Sequence, residues 1–156
     1  SSIMRIIGQA KEYFKKNNID QWQNNYPNHA TIKKDIDKEE SYVLINDNDI
    51  LATVALSFNG EKNYDVIYDG KWLSNENYAV IHRIAVDKNH KGKGLSGEVF
   101  KNLEEICLDN NIRSIKIDTH KENISMKKFL EKSGFKYCGV IYLPDKSERI
   151  AFEKIL

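Results

Sequence analysis

The feature that most constrains the fold is an apolar segment followed by a glycine loop and an amphipathic helix, within residues 77–110. The segment NYAVIHRIAV is rich in β-branched and aromatic residues, which predicts a strand. The loop KGKGLSG follows, and apolar residues then recur at helical spacing at Leu95, Val99, Leu103 and Ile106. This order places backbone N–H groups at a helix N-terminus, where they favour a bound phosphate.

The sequence on either side of this unit predicts a mixed sheet with helices packed against it. An N-terminal amphipathic helix extends to about Asn17, and a short helical pattern surrounds Ile32 and Ile36. The polar turn NDND separates the β-rich runs SYVLI and ILATVALSF, which indicates an antiparallel hairpin. After the strand IRSIKID, a helix from Asn123 to Lys132 ends at a left-handed Gly134, and FKYCGVIYL and RIAFEKIL form two closing strands. The predicted order is α, short α, β, β, β, α, β, α, β, β, an α/β (α+β mixed) fold.

The length of the chain favours one domain, and its near-zero net charge favours no class of highly charged partner. The 156 residues are 40% hydrophobic, which suits a single domain over residues 1–156. A formal net charge of +1 does not favour nucleic acid or an anionic membrane as a partner. Because neither a signal peptide nor a run of about 20 apolar residues is present, we expect a cytoplasmic protein. We also expect it to be a monomer or a homodimer. Cys107 and Cys138 lack metal-site spacing, which predicts core thiols and no metal site.

The glycine loop admits two ligands and one purely structural explanation. Gly92, Gly94 and Gly97 match G-x-G-x-x-G, and Asp118 near the end of the next strand matches a ribose-binding acid, as in a dinucleotide-binding oxidoreductase. The residues DKNHK between strand and loop, and the few strands after Asp118, disfavour that fold. A different pyrophosphate ligand fits the loop, with positive field from its lysines. The structural alternative is a tight turn flanked by solvated lysines.

Two sequence blocks resemble the GCN5-related N-acetyltransferase (GNAT) superfamily. The acetyl-CoA loop of that family, Q/R-x-x-G-x-G/A, reads KGKGLS here, with Gly94 as its central glycine. The second block, NISMKKFLEKSGF, is similar to N-x-x-A-x-x-L-Y-E-K-x-G-F and has Leu130 where the family often has tyrosine. The resemblance covers most of the chain. It implies a GNAT-like mixed, mostly antiparallel sheet with helices on both faces and a central parallel strand pair splayed at the cofactor site.

The resemblance implies that acetyl-CoA is the cofactor and that its acetyl group passes to a primary amine by direct attack in a ternary complex. The backbone of the strand before the loop would bind pantetheine, and the loop would bind the pyrophosphate. The residues carried over to cofactor binding are Ile84, Ala85, Val86, Lys91, Gly92, Lys93, Gly94, Leu95, Ser96 and Asn123. An alternative is a non-catalytic acyl-CoA-binding or sensing module, which the missing tyrosine at Leu130 would explain.

Proton handling requires other residues, because the family positions that often carry it are apolar here, Val80 and Leu130. Strand alternation sends His82 to the same face as Val80, and histidine ordinarily titrates near neutrality. His82 is therefore the first candidate base, and the alternative is a histidine with only a packing or surface role. His120 is a second candidate, and Tyr142 could donate a proton to the leaving thiolate.

The acceptor pocket would be lined by aromatic residues, by analogy with the family. The residues proposed for substrate binding are Trp22, Tyr26 and Trp72, the last within the insertion YDVIYDGKW. Asp65 and Asp69 of the insertion could attract a cationic amine, although a solvated loop with aromatic anchors explains the same residues. The implied partner is thus a small-molecule or peptide amine.

Overall fold

The structure is a computed structural model that describes residues 2–156, with the elements in the predicted order. The α-helices are α1 (Ser2–Lys16), α2 (His29–Asp37), α3 (Leu95–Asp109) and α4 (Ile124–Lys132). The strands are β1 (Ser41–Asn46), β2 (Asp49–Ser57), β3 (Ala79–Val86), β4 (Ser114–Thr119), β5 (Lys136–Tyr142) and β6 (Glu148–Ile155). Short 3-10 helices cover Lys62–Tyr64 and Lys88–His90. The predicted fold class is confirmed.

The strands form a mixed sheet in the order β1-β2-β3-β4-β6-β5. The predicted hairpin is confirmed, since β1 pairs antiparallel with β2, and β6 pairs antiparallel with both β4 and β5. The parallel pair is β3 with β4, in a register that joins Ala79 to Ile115 and Val80 to Lys116. The predicted splaying of this pair at a cofactor stays a prediction.

Two compact units can be described. The first, unit 1, comprises the chain up to Leu56 together with Ile81–Leu103; the second, unit 2, comprises Ser57–Val80 and Glu104–Leu156. Strand β3 therefore begins in unit 2 and continues in unit 1. The sequence-based assignment of residues 1–156 to one domain stays a prediction.

The core of unit 1 forms because α1 and α2 each present a strip of apolar residues. Ile6, Ile7, Ile32 and Ala85 form a buried cluster, with both Ile6 and Ile7 at 0% exposure. Burial of each such side chain stabilises the fold by roughly 1.5–3 kcal/mol. The predicted short helix around Ile32 and Ile36 is confirmed as α2, with Ile32 buried and Ile36 52% exposed near its end.

The core of unit 2 buries both faces of β4. Ile115 and Ile117 are buried as their alternation predicts, but so are Ser114 and Lys116 on the opposite face. These polar residues are tolerated because their polar atoms have partners. Ser114 donates a 2.6 Å hydrogen bond to the fully buried carboxylate of Glu153, and the Lys116 ammonium lies over the rings of two aromatic residues.

The caps of α4 follow directly from its sequence. The Asn123 side chain accepts a hydrogen bond from the Met126 N–H at the N-terminus. At the C-terminus, the predicted left-handed glycine is confirmed by Gly134 at φ +91°. The Phe135 N–H donates to the Leu130 carbonyl, and the Gly134 N–H to that of Glu131, which together make a Schellman motif.

Both cysteines are buried free thiols, as predicted. Burial, with a smaller contribution from the charge of Glu104, raises the pKa of Cys107 to about 11, so this thiol is protonated and inert at neutral pH. Within residues 2–156, none of the helices combines the length and apolar character required to span a bilayer.

Candidate functional site

The strand before the glycine loop contains a left-handed residue. Arg83, in the middle of β3, has φ 53°, which is unusual for a residue with a Cβ. Such a residue breaks the alternation of side chains and turns the backbone that follows it, as β-bulges near active sites do. The backbone of Ile84, Ala85 and Val86 lies immediately after this turn. At its end, the Asp87 N–H donates to the Leu51 carbonyl of β2 at 2.8 Å.

A nearly buried ion pair holds the left-handed residue in place. Arg83 donates two hydrogen bonds to the Asp35 carboxylate of α2, from Nε at 2.7 Å and from Nη2 at 2.6 Å. Its third nitrogen, Nη1, donates to the Tyr26 hydroxyl at 2.9 Å. The side chains of Arg83 and Asp35 are only 14% and 8% exposed. A bidentate pair in this environment fixes the guanidinium in one orientation.

We expect Asp35→Asn to lower the free energy of unfolding by about 3 kcal/mol, because it leaves the Arg83 charge buried without its counter-ion. The matched control is Asp37→Asn on the same helix, where the Lys33–Asp37 pair is exposed at 2.8 Å. Its loss should cost no more than about 0.5 kcal/mol. Urea unfolding of both variants measures the difference. Equal costs would show that the Arg83–Asp35 pair does not hold β3.

His82 precedes this left-handed residue and is half-buried. Burial, together with the positive charge of Arg83, lowers the pKa of His82 to about 4, and Asp35 opposes the shift only partly. The expectation that His82 titrates near neutrality is therefore wrong. Because the imidazole is neutral above about pH 5, it can still accept a proton, as a weaker base than an exposed histidine.

The glycine loop has the conformation that a phosphate cradle requires. Gly92 and Gly94 have φ values of +82° and +74°, which residues with a Cβ rarely adopt. A Cβ built on either would meet no protein atom within 4 Å, so the space beside the loop is open. The Glu98 N–H bonds the Gly94 carbonyl and starts α3. The N–H groups of Leu95, Ser96 and Gly97 therefore have no acceptor within the helix and can bind an anion.

The comparisons with known proteins agree with this geometry. The model of the acetyltransferase (GNAT) family matches residues 7–135. The chain belongs to the GNAT acetyltransferase family. A GNAT-family acetyltransferase from Streptococcus agalactiae is 34% identical, with a TM-score of 0.90 over 99% of this chain and 88% of that one. Members of this family use acetyl-CoA. No curated protein matches the chain significantly.

More distant GNAT structures share the fold. A GNAT-family acetyltransferase from Listeria monocytogenes is 16% identical, with a TM-score of 0.74 over 99% of this chain and 87% of that one. A candidate streptothricin acetyltransferase from Bacillus anthracis, solved in complex with acetyl coenzyme A, is 22% identical. Its TM-score is 0.59 over 74% of this chain and 61% of that one. At these identities the likeness concerns the fold alone.

Lys91 and Lys93 of the glycine loop are exposed, and Lys91 has an aromatic neighbour. Lys91 Nζ lies 4.5 Å from the centroid of the Tyr13 ring of α1, a cation–π contact. The 3-10 helix before the loop is fixed by Asp87, whose carboxylate accepts from the Asn89 N–H and from Arg5 Nη1. Because burial of Asp87 is outweighed by these bonds, its pKa is lowered and it remains a carboxylate.

We expect Lys91→Ala and Lys93→Ala each to weaken acetyl-CoA binding by about 1 kcal/mol at low salt, because each lysine contributes local positive field. The loss should shrink in high salt. Calorimetric titration at two salt concentrations measures it, with Lys15→Ala on the exposed end of α1 as the control. A loss that is independent of salt would contradict the field interpretation and indicate a buried, directed contact.

Two of the proposed acceptor residues belong to unit 1 and have packing roles there. Trp22 packs edge-to-face on Phe14, with ring centroids 5.6 Å apart, and so extends the core beside α1. Tyr26 is 44% exposed and accepts the hydrogen bond from Arg83 described above. Only Tyr26 therefore offers a largely accessible ring.

The remaining predicted site residues belong to unit 2. Asn123 is 5% exposed; besides capping α4, it donates to Thr119 Oγ1 at 3.3 Å, so its side chain has a structural role. His120 Nδ1 accepts from the Glu122 N–H in the turn after β4. Tyr142 is 45% exposed and packs edge-to-face with Tyr68. These surroundings leave Tyr142 accessible.

Trp72 is fixed within unit 2 by both its nitrogen and its ring. Its indole N–H donates to the Tyr64 carbonyl at 2.9 Å. Its ring lies 4.2 Å from Lys116 Nζ, which also lies 3.9 Å from the centroid of Tyr78. The face of Trp72 that binds Lys116 is thus already occupied, and its role in acceptor binding stays a prediction.

Sequence reasoning missed two pairs of residues that the structure brings together. One is Arg83 with Asp35, for which an arginine inside the apolar run NYAVIHRIAV was an available signal. The other is Tyr64 with Asp118, joined by a 2.6 Å hydrogen bond across 54 residues of sequence. Asp118 was considered only as a ribose-binding acid, and its actual partner has no sequence signal.

Proposed function

We propose that the chain is an acetyl-CoA-dependent N-acetyltransferase that transfers the acetyl group to a primary amine by direct attack in a ternary complex. The observation that supports this most is the loop with left-handed Gly92 and Gly94 at the start of α3, within the region that matches the GNAT family. The open space beside both glycines fits a pyrophosphate that approaches the backbone closely.

In this proposal the cofactor is bound mainly by backbone groups. The loop from Lys91 to Ser96 holds the pyrophosphate, and the backbone of Ile84–Val86 binds pantetheine after the turn at Arg83. Asn123 contributes from the start of α4. When bound, acetyl-CoA supplies the activated thioester. The chain itself contributes orientation, which gives much of the rate of such a bimolecular reaction.

Two proton transfers accompany acetyl transfer. The acceptor ammonium, with a pKa near that of lysine at about 10, must lose a proton before its nitrogen attacks. His82 accepts that proton, directly or through water, with His120 as the alternative. Tyr142 donates to the leaving thiolate, because Leu130 is fully buried and has no hydroxyl. The acceptor is a small-molecule or peptide amine, and Trp22, Tyr26 and Trp72 remain the residues proposed to bind it.

The second candidate function is a non-catalytic acyl-CoA-binding or sensing module. The observation in its favour is the apolar, fully buried Leu130 at the position where the family often has a tyrosine. We favour the enzyme because a positioned amine can attack an activated thioester without a dedicated acid.

Release of free CoA thiol in the presence of a panel of primary amines tests the proposal and separates the two functions. We expect amine-dependent thiol release and, with both substrates varied, intersecting initial-rate lines. Parallel lines would contradict direct attack in a ternary complex. Binding of acetyl-CoA without thiol release for any amine of the panel would favour the sensing module.

A further inference from the structure

Unit 2 contains a carboxylate that the proposed mechanism does not use. Asp118 lies on β4, two residues beyond Lys116, the last residue of β4 that pairs in parallel with β3. Sites in sheets with parallel strands form beyond the carboxyl ends of those strands. Asp118 lies near the carboxyl end of β4, one residue before its last residue, and is only partly buried, so a ligand can reach it.

One oxygen of this carboxylate is held rigidly. The Tyr64 hydroxyl donates to Asp118 Oδ2 at 2.6 Å, a short, charge-assisted hydrogen bond. Tyr64 is itself 2% exposed, its carbonyl accepts from the Trp72 indole, and its ring packs 5.2 Å from that of Trp72. The tyrosine therefore fixes the direction in which Asp118 points.

The charge of Asp118 has no counter-ion within the described part of the chain, residues 2–156. The ion pairs of unit 2 do not include it, and Arg149 of β6 acts on it only from beyond contact distance. Lys116, on the same face of β4, has its ammonium over the rings of Trp72 and Tyr78 instead. A partly buried carboxylate without a paired cation favours a cationic ligand.

Burial and the neighbouring ionisable groups act on the pKa of Asp118 in opposite directions. Burial raises its pKa, and the charge of Glu61 adds to that, whereas the Tyr64 hydrogen bond and Arg149 oppose the shift. The pKa of Tyr64 is raised well above its ordinary value by burial and by Asp118, so Tyr64 stays a neutral donor. The groups that act on Asp118 are thus the carboxylate of Glu61, the hydroxyl of Tyr64 and the distant guanidinium of Arg149.

We propose that Asp118, oriented by Tyr64, binds the ammonium form of the acceptor, an aliphatic primary amine. This inference rests on the proposed function for the identity of the ligand as acceptor. The other carboxylate oxygen, Oδ1, accepts a hydrogen bond from the ammonium group while Oδ2 remains bound to Tyr64. Neutral amines and alcohols lack the charge that this site recognises.

Backbone amide NMR spectra during titration with n-butylammonium chloride test the site without requiring turnover. We expect saturable shifts centred on Tyr64 and Asp118, and none of comparable size with n-butanol. Asp118→Asn, which keeps an acceptor for Tyr64, should weaken binding at least about tenfold. The matched control is Asp109→Asn, which removes the same charge from the exposed end of α3 and should leave binding within about twofold.

Two further measurements test the ammonium site, one of binding to a Tyr64 variant and one of turnover by the Asp118 variant. Tyr64→Phe should also weaken binding, and the loss should grow as the pH falls, because loss of its hydrogen bond raises the pKa of Asp118 further. With an amine that the wild type acetylates, Asp118→Asn should raise KM for the amine about tenfold and leave KM for acetyl-CoA unchanged.

The outcomes separate this inference from the proposed function. Shifts centred elsewhere, equal shifts with n-butanol, or unchanged affinity in Asp118→Asn would overturn the ammonium site. If the wild type acetylates no amine, the proposed function fails, and the titration still decides whether Asp118 binds an ammonium group.

Discussion

We expect Gly94→Asp to abolish the stabilisation of the protein by acetyl-CoA, because it obstructs the glycine loop proposed to bind the pyrophosphate. Gly94 has φ +74°, and a Cβ there would enter space that is free of protein atoms. The substitution therefore adds a side chain and a negative charge where the pyrophosphate would approach backbone donors. A thermal-shift titration with acetyl-CoA measures the effect, which should exceed that of either loop lysine.

Two further variants separate charge from backbone strain in this experiment. Gly94→Ala adds a Cβ without charge and should leave partial binding. Gly60→Asp places the same charge at a left-handed glycine with a similar φ, +76°, outside the loop, and should leave acetyl-CoA stabilisation intact. A folded Gly94→Asp protein that binds acetyl-CoA with wild-type affinity would refute the phosphate cradle.

His82→Gln should lower kcat/KM for the amine by about 100-fold at neutral pH, with the affinity for acetyl-CoA nearly unchanged. We expect the lower end of the usual range for a general base, because the pKa of His82 is lowered to about 4 and its basicity is weak. The matched control is His29→Gln at the exposed start of α2, which should keep the wild-type rate. A wild-type rate in His82→Gln would make His82 a bystander.

The lowered pKa of His82 determines how both the activity and the free energy of unfolding should depend on pH. In the activity profile, the ionisation of His82 should lie near pH 4 rather than near neutrality. In stability, the unfolded chain protonates this histidine below about pH 6.5 while the folded protein does not. The free energy of unfolding should therefore fall as the pH falls from about 6.5 to 4, and His82→Gln should remove that part of the loss.

Local features of the fold could be predicted from the sequence because neighbouring residues determine them. Asn123 and Gly134 delimit α4 through contacts within one helical turn, and the β1–β2 hairpin follows from its polar turn. Gly92 and Gly94 have left-handed φ values that glycine readily accepts, and their role in cofactor binding stays a prediction.

The remaining features of the site depend on distant contacts. The left-handed Arg83 has its side chain bound to Asp35, which is 48 residues away in sequence. The low pKa of His82 follows from burial beside Arg83, which alternation along a strand does not reveal. The pairing of Tyr64 with Asp118 is likewise a tertiary contact. Periodicity and turn chemistry specify elements, but they do not specify which side chains meet.

The most direct test of N-acetyl transfer is to trace an isotopically labelled acetyl group from acetyl-CoA to a primary amine by mass spectrometry. We predict a labelled amide on the amine nitrogen, formed in equal amount to the released CoA, with wild-type protein and not with Gly94→Asp. Label that stays on the cofactor with every amine, or that appears only as free acetate, would contradict the assignment of this GNAT protein as an N-acetyltransferase.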